Sequence, residues 1–299
     1  MSNKPFLSLI ICSCNRASSL QKVLQTIHTE EMLAVGGELI LVDNSSTDTT
    51  LKVMQACRDS MPFPVIVVSE PVAGLGRARN SGLEHARGEV IAFTDDDCYL
   101  QAGYLLKAAE VFDNGLFKYC GGRILLHDPD DAMVAVDYRE KFKRIPPRSF
   151  VPAGEIQGAS MIVSREVFDA IGPFDPELGA GREFRCEDAE FVARASMHGF
   201  TGAHVPELVV YHHHGRKAGD VPAHVQGNHF ARGAYYAIML GRRQWKYLFR
   251  WLSQYLLPRP STVRKFGYFK RFYYEVLGAR RYVHSRQLQQ TLEISRRLT

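Results

Sequence analysis

The strongest constraint on how this chain folds is the alternation, over its first hundred residues, of short apolar runs with single amphipathic segments. "FLSLIICSC" is followed by Leu20, Val23, Leu24 and Ile27 at i, i+3, i+4 and i+7, the spacing of one helix face. Next come "ELILVD", a helical pattern from about Thr47 to Cys57, "PVIVVSE", a helical pattern from about Leu75 to His85, and "EVIAFTD". Strands joined by one helix each run parallel, with right-handed crossovers, and a parallel sheet opens its ligand crevice at the carboxyl ends of its strands. "CSCNR", "VDNSSTD", "SEPVAG" and "TDDDC" each follow a strand. All four loops are therefore predicted to gather on one edge.

The second half is less regular. "KYCGGRILL", "EIQGASMIVS" and "TGAHVPELVVYHHHG" read as strands, and "CEDAEFVARASMHG" reads as a short helix closed by Gly199. From about Val225 the pattern turns helical and changes chemistry: Arg242, Arg243, Lys246, Arg250, Arg259, Arg264, Lys265, Lys270 and Arg271 interleave with Trp and Tyr, and acidic residues almost vanish. "LLPRPSTV" is predicted to break the C-terminal helices. The expected division is a catalytic unit over 1–220, split into halves of about 1–115 and 116–220, and a basic-aromatic helical region over 221–299.

Composition excludes more than it names. At 299 residues, 45% hydrophobic and 23% charged, the chain is an ordinary globular protein with room for one large α/β domain and an appendage. A net charge of +5 identifies no partner. No stretch approaches the roughly 20 uninterrupted apolar residues of a membrane span, and the N-terminal segment has no small-residue cleavage site. Export is not expected, and the location read from the sequence is cytoplasmic. The six cysteines are scattered without a CxxC pair, which fits a reducing compartment, and Cys12 and Cys14 read as small residues on one strand face rather than zinc ligands.

"TDDDC" is the chemical anomaly. Asp95, Asp96 and Asp97 end an apolar run, where like charges repel unless a cation or water intervenes. One aspartate there would cap the helix containing Leu105 and Leu106; three exceed that need. In an extended loop Asp95 and Asp97 point one way and Asp96 the other, so the alternating pair can converge on a hard divalent cation.

Taken together, "SLIICSCNRASSL", "LILVDNSSTD", "GLGRARNSGLEHARGEVIAFTDDDC" and "GPFDPELGAGREFRCEDAEFVARASMHGF" resemble a family-2 glycosyltransferase over roughly residues 6 to 215. The resemblance implies a GT-A fold, a Rossmann-like and mostly parallel sheet flanked by helices, here with a helical C-terminal extension. It implies a nucleotide-sugar donor, most often UDP-linked, a Mn²⁺ or Mg²⁺ ion, and inversion at the anomeric carbon. Ser13, Asn15, Arg16 and Asp43 would surround the nucleoside. Arg79 would approach the phosphates or Asp95, Asp95 would lie nearest the ribose, Asp96 near the donor sugar or a basic neighbour, and Asp97 on the metal. In "VVYHHHG", His212 and His214 share one face of the strand end, and the family pattern favours His212 as the further ligand. In "RCEDAEF", Asp188 matches the base that removes the acceptor hydroxyl's proton, although carboxylates there also suit a helix N-terminus. Glu187 is expected to orient the acceptor or a helix amide.

Other readings are weaker. "GLGRAR" mimics a dinucleotide loop, but its glycines belong after the first strand, where this chain has "CSCNR". A sugar nucleotidyltransferase would be expected to carry a glycine-rich loop at the same place, and a sugar- or lipid-binding scaffold would consume no nucleotide sugar. The C-terminal segment is open to helix packing, nucleic-acid binding or an anionic membrane surface. The membrane is favoured because lipid-linked acceptors are common in bacterial members of the family, and no nucleic acid is expected. The expected acceptor is a hydroxyl on a glycan, lipid-linked or polysaccharide.

Overall fold

A computed structural model describes residues 5–256 and 265–298. The N-terminal half runs β1 (Leu7–Ser13), α1 (Ala17–Gln25), α2 (Thr29–Ala34), β2 (Gly37–Asn44), α3 (Thr50–Ser60), β3 (Val65–Glu70), α4 (Leu75–His85) and β4 (Val90–Asp95). These four strands pair in parallel in the order β3-β2-β1-β4. β2 is buried along its whole length, as expected of a strand covered on both faces. Two apolar clusters, around Ile10 and Phe93 on one face and Leu9 and Leu41 on the other, form the core.

The remaining strands extend the sheet as a mixed one. After β5 (Cys98–Leu100), α5 (Tyr104–Asp113), β6 (Tyr119–Leu126) and β7 (Lys143–Ile145) come β8 (Met161–Ser164), α6 (Arg165–Ile171), α7 (Glu187–His198) and β9 (Gly202–His212). β8 lies antiparallel against β4, β6 follows it, and β9 runs parallel to β6 while holding β5 and β7 antiparallel. β6 and β9 approach closely at a register shift: a Cβ on Gly122 would meet the Leu208 carbonyl oxygen at 1.9 Å, so only glycine fits there.

Two of the segments read from the sequence differ in extent, and α2, β5, β7 and α6 are not read from it. "EIQGASMIVS" is a strand only over its last four residues, preceded by a single 3-10 turn at Gly158–Ser160. Its backbone groups serve side chains instead of a ladder, with the Gly158 amide donating to Asp188 and the Ala159 carbonyl accepting from Thr94. The helix expected from Thr47 begins at Thr50, because the Asn15 side chain accepts from the amides of Thr47 and Asp48 and holds them in the loop.

Three C-terminal helices follow: α8 (Val221–Gly241), α9 (Trp245–Leu256) and α10 (Lys265–Leu298). The predicted break at "LLPRPSTV" falls, after Leu256, in residues 257–263, outside the described residues, as do Arg259 and Arg264. α8 and α10 cross at two glycines. A Cβ on Gly233 would lie 1.8 Å from the Glu275 carbonyl oxygen, and one on Gly278 would lie 1.9 Å from that of Phe230. The helices dock on the sheet domain through the stacked rings of Phe184 and Phe230, through Tyr235 donating to the Val151 carbonyl at 2.5 Å, and through Arg242 on Glu190 at 2.5 Å.

Glu275 locks this helical layer. Its buried carboxylate accepts from Trp251 at 2.6 Å, Tyr255 at 2.7 Å and Arg271 at 3.0 Å. Burial alone would raise its pKa, but His229, Arg271, Tyr255 and Arg232 outweigh that and bring it down to about 2. The depressed value means that its contribution is complete above the ordinary glutamate range and is lost as pH falls toward 2. Glu275→Gln is expected to lower stability by about 2 kcal/mol at neutral pH, because it removes the one buried charge that the half-buried Arg232 and Arg271 share. Urea unfolding at pH 7 and pH 3 checks this, the gap between variant and wild type narrowing at the lower pH.

Candidate active site

The carboxyl edge of the parallel strands draws its loops together through side chains. Asn15, just past β1, has φ 54°, a left-handed conformation that asparagine tolerates better than most residues, and its side chain stitches this loop to the one after β2. Asn44 at the end of β2 reaches the loop after β3, donating to the Val72 carbonyl at 3.0 Å and accepting from the Gly74 amide at 2.8 Å. Ser13 at the end of β1 donates to Asp96 at 2.5 Å.

Asp96 and Asp97 form a two-residue turn between β4 and β5, and this corrects the alternation expected of an extended loop. The turn brings both side chains to one cation: Arg16 lies 3.2 Å from Asp96 and 2.7 Å from Asp97. Ser19 also donates to the Asp96 carbonyl at 2.9 Å. Asp95 faces a different cation, Arg79, at 3.5 Å. Burial raises the Asp96 pKa to about 7, against the pull of Arg16 and the Ser13 hydroxyl. Asp97 is held down at about 2 because the bond to His212 and the charges of His212 and Arg16 outweigh its burial.

His212, the last residue of β9, lies opposite Cys98 across the β5 pairing, which sets its Nε2 3.3 Å from Asp97 Oδ1. Its Nδ1 is 3.1 Å from the Ala135 carbonyl. That carbonyl fixes a hydrogen on Nδ1, which leaves Nε2 as the ligating nitrogen whenever the ring is neutral. Asp97, Cys98 and His212 bring their ligand atoms within 4.8 Å of one another, and the carboxylate suits Mn²⁺ or Mg²⁺, with the imidazole as a borderline nitrogen donor beside it. These residues fit such an ion. His214 is enclosed 5.0 Å from the His212 ring, with Nδ1 accepting from the Arg216 amide and Nε2 buried without a hydrogen-bond partner among the described residues. His213 turns away toward Asp128 and Asp131, a second acidic group already paired with Lys217 at 3.3 and 2.8 Å.

Asp188 begins α7. One of its oxygens accepts from the Gly158 amide at 3.0 Å and the other from the Ala189 amide at 2.6 Å, so its orientation is fixed by backbone while its residue stays partly open. Its neighbour Glu187, expected from the sequence to orient the acceptor or a helix amide, takes Arg79 at 2.9 Å. Burial first, then Asp188, raises Glu187 to about 7 against the pull of Arg79.

Arg79 thus ties the β4 turn to the start of α7. Its side chain is 3% exposed, and its guanidinium carbon lies 5.7 Å from the rings of both Phe93 and Phe174. Sequence reasoning set Arg79 near the phosphates or Asp95 but missed its bond to Glu187, and it read Gly158 as leaving room for a sugar or packing closely, where the room is taken by Arg79. A Cβ on Gly158 would stand 2.1 Å from Arg79 Nη2. The only signal in the sequence was the run of small residues in "QGASM". Asp43, at the end of β2, is buried with its Oδ1 lacking a hydrogen-bond partner among the described residues.

The architecture is the GT-A fold of glycosyltransferases. The mannosyltransferase PcManGT of Pyrobaculum calidifontis, solved with GDP-Man and Mn²⁺, resembles this chain with a TM-score of 0.62 at 19% identity, over 79% of this chain and 64% of that one. A Staphylococcus aureus TarS fragment solved with UDP-GlcNAc gives 0.53 at 18% identity, over 85% and 76%. Residues 8–172, more than half of the sequence, match Glycosyl transferase family 2, and the chain belongs to that family. It is a glycosyltransferase. Glycosyltransferase AglE of Haloferax volcanii is 24% identical over 71% of this chain and 68% of its own length. The Campylobacter jejuni GalNAc(5)-diNAcBac-PP-undecaprenol beta-1,3-glucosyltransferase is 31% identical over 40% of this chain, which spans only 39% of that relative.

Gly158→Ala is expected to push Arg79 off Glu187 and to shift Asp188, lowering kcat by about a hundredfold, the scale on which ångström misplacements act. Steady-state donor turnover, with nucleotide affinity measured alongside and expected unchanged, checks this.

Proposed function

We propose that this enzyme is a metal-dependent inverting glycosyltransferase, moving a sugar from a UDP-linked donor to a hydroxyl on a lipid-linked or polysaccharide glycan. The observation that carries this reading is the Arg79 bridge, which joins the acidic turn at Asp95 to the helix that presents Asp188. Residues 1–220 form the catalytic unit, with the nucleotide-sugar half over about 1–115 and the acceptor half over about 116–220. Residues 221–299 form the accessory helical region.

Asp43 accepts an N–H from the nucleobase, which satisfies an oxygen buried without a donor among the described residues. Ser13, Asn15 and Arg16 line the nucleoside side, Asp95 faces the ribose, and Asp96 faces the donor sugar. Asp97 and His212 would hold Mn²⁺ or Mg²⁺, and a bound divalent cation supplies charge stabilisation for the departing diphosphate. Asp188 then accepts the proton of the acceptor hydroxyl while its oxygen attacks the anomeric carbon from the face opposite the leaving group. Arg79 and Glu187 keep that carboxylate in line. Six free cysteines support a reducing, cytoplasmic site of action, with the enzyme peripheral on a membrane. No described helix is long and apolar enough to cross one.

Asp97→Asn is expected to lose cation-dependent UDP binding together with turnover. Asp188→Asn should bind donor as the wild type does yet transfer at least about a thousandfold more slowly, within the range of general-base loss. Calorimetric UDP titration with and without Mn²⁺, paired with donor turnover, separates the two roles; full turnover in either variant contradicts its assignment.

A further inference from the structure

α9 carries two apolar faces, and only one of them is covered. Tyr247, Trp251 and Tyr255 pack inward, with Tyr236 stacked on Trp251 at 5.2 Å and Phe272 against Tyr255 at 4.8 Å. On the opposite side Trp245, Phe249, Leu252 and Leu256 recur at i, i+4, i+7 and i+11, and span about 60° of arc at 3.6 residues per turn. All four are exposed, Phe249 by 73% and Leu256 by 76%. Phe269 and Tyr273, one turn apart on the neighbouring α10, are exposed as well, Phe269 by 77%. A patch of this kind is rare on a surface that meets only water.

The polar fringe has one sign. Residues 221–274 contain ten Lys and Arg and no Asp or Glu, and the next acid, Glu275, is buried. Lys246 and Arg250 lie on α9 beside the apolar arc, with Lys246 anchored on the Arg148 carbonyl at 2.6 Å and Arg250 set over the Phe150 ring at 5.9 Å. Lys270 is exposed between Phe269 and Tyr273 in sequence. An isologous contact with a second copy would press this cationic fringe against itself, whereas an anionic bilayer complements it.

We infer that the outer face of α9, with the start of α10, seats the enzyme on an anionic lipid surface, Trp245, Phe249, Leu252 and Leu256 entering the acyl boundary while Lys246, Arg250 and Lys270 meet the headgroups. The surface gives the proposed peripheral placement its residues and is independent of the donor chemistry. Attachment combines buried apolar area with cation–headgroup attraction, so it weakens in high salt.

Flotation of the full chain tests this, with vesicles of phosphatidylcholine alone and with phosphatidylglycerol added, comparing wild type with the double variant Trp245→Ser, Phe249→Ser. The wild type is expected to float with the anionic vesicles at low salt, and the double variant to partition at least about tenfold less, as loss of two buried aromatics implies. Unchanged thermal melting and donor hydrolysis in the variant show that the fold and site survive. Absence of hydrolysis in both proteins would sink the glycosyl-transfer reading while leaving the flotation result intact. Equal flotation of variant and wild type, no flotation on anionic vesicles, or a self-associated species that the double variant dissolves would each overturn the inference.

Discussion

The site rests on the mutual neutralisation of charges that could not be enclosed singly. Asp96, Asp97 and Glu187 are nearly enclosed and Asp95 lies partly open beside them, with Arg16, Arg79 and the His212 imidazole distributed among the four. An uncompensated buried ion costs several kcal/mol, so removing any one cation leaves a carboxylate that must take up a proton or swing away. The split pKa values within the turn express this: Asp97, with Arg16 and His212 as partners, is held near 2, while Asp96, more weakly compensated, rises to about 7. The more acidic carboxylate of the turn is thus the one aimed at His212. That is the arrangement a divalent ion would join.

The fold supplies these charges from distant parts of the chain. Arg16 follows β1, the aspartates follow β4, His212 ends β9, and Glu187 opens α7. Parallel pairing brings the first two to one edge, and the β5–β9 pairing adds the third. Arg79 adds the fourth by reaching from α4 through a gap that Gly158 leaves open. The C-terminal helices brace the far side of this assembly: Arg281 binds Glu183 at 2.6 Å and Arg286 binds Asp175, both in the segment that leads into α7.

Much of this was legible in the sequence because it depends on local pattern. The four parallel strands and their helices follow from apolar periodicity, and the loop after each strand had to reach the crevice edge. Asp97 and His212 were named from motif and position, and they lie together. What escaped depends on tertiary registration. Nothing local to "TDDDC" says that Arg16 will bridge two of its side chains, and Glu187 pairs with a residue 108 positions earlier. The "EIQGASMIVS" segment has strand-like composition, but Asp188 and Thr94 take its polar backbone groups first. The exposed face of α9 was visible only as a basic-aromatic composition, since sequence alone does not say which of two apolar faces the protein covers.

The most direct test of the central claim is anomalous diffraction at the manganese edge from crystals grown with Mn²⁺ and UDP. A peak within coordination distance of both Asp97 Oδ1 and His212 Nε2, bridging to the diphosphate, is the predicted result. Density lying instead at the Asp128, Asp131 and His213 group, or a nucleotide held in the crevice with no metal beside Asp97, would contradict it.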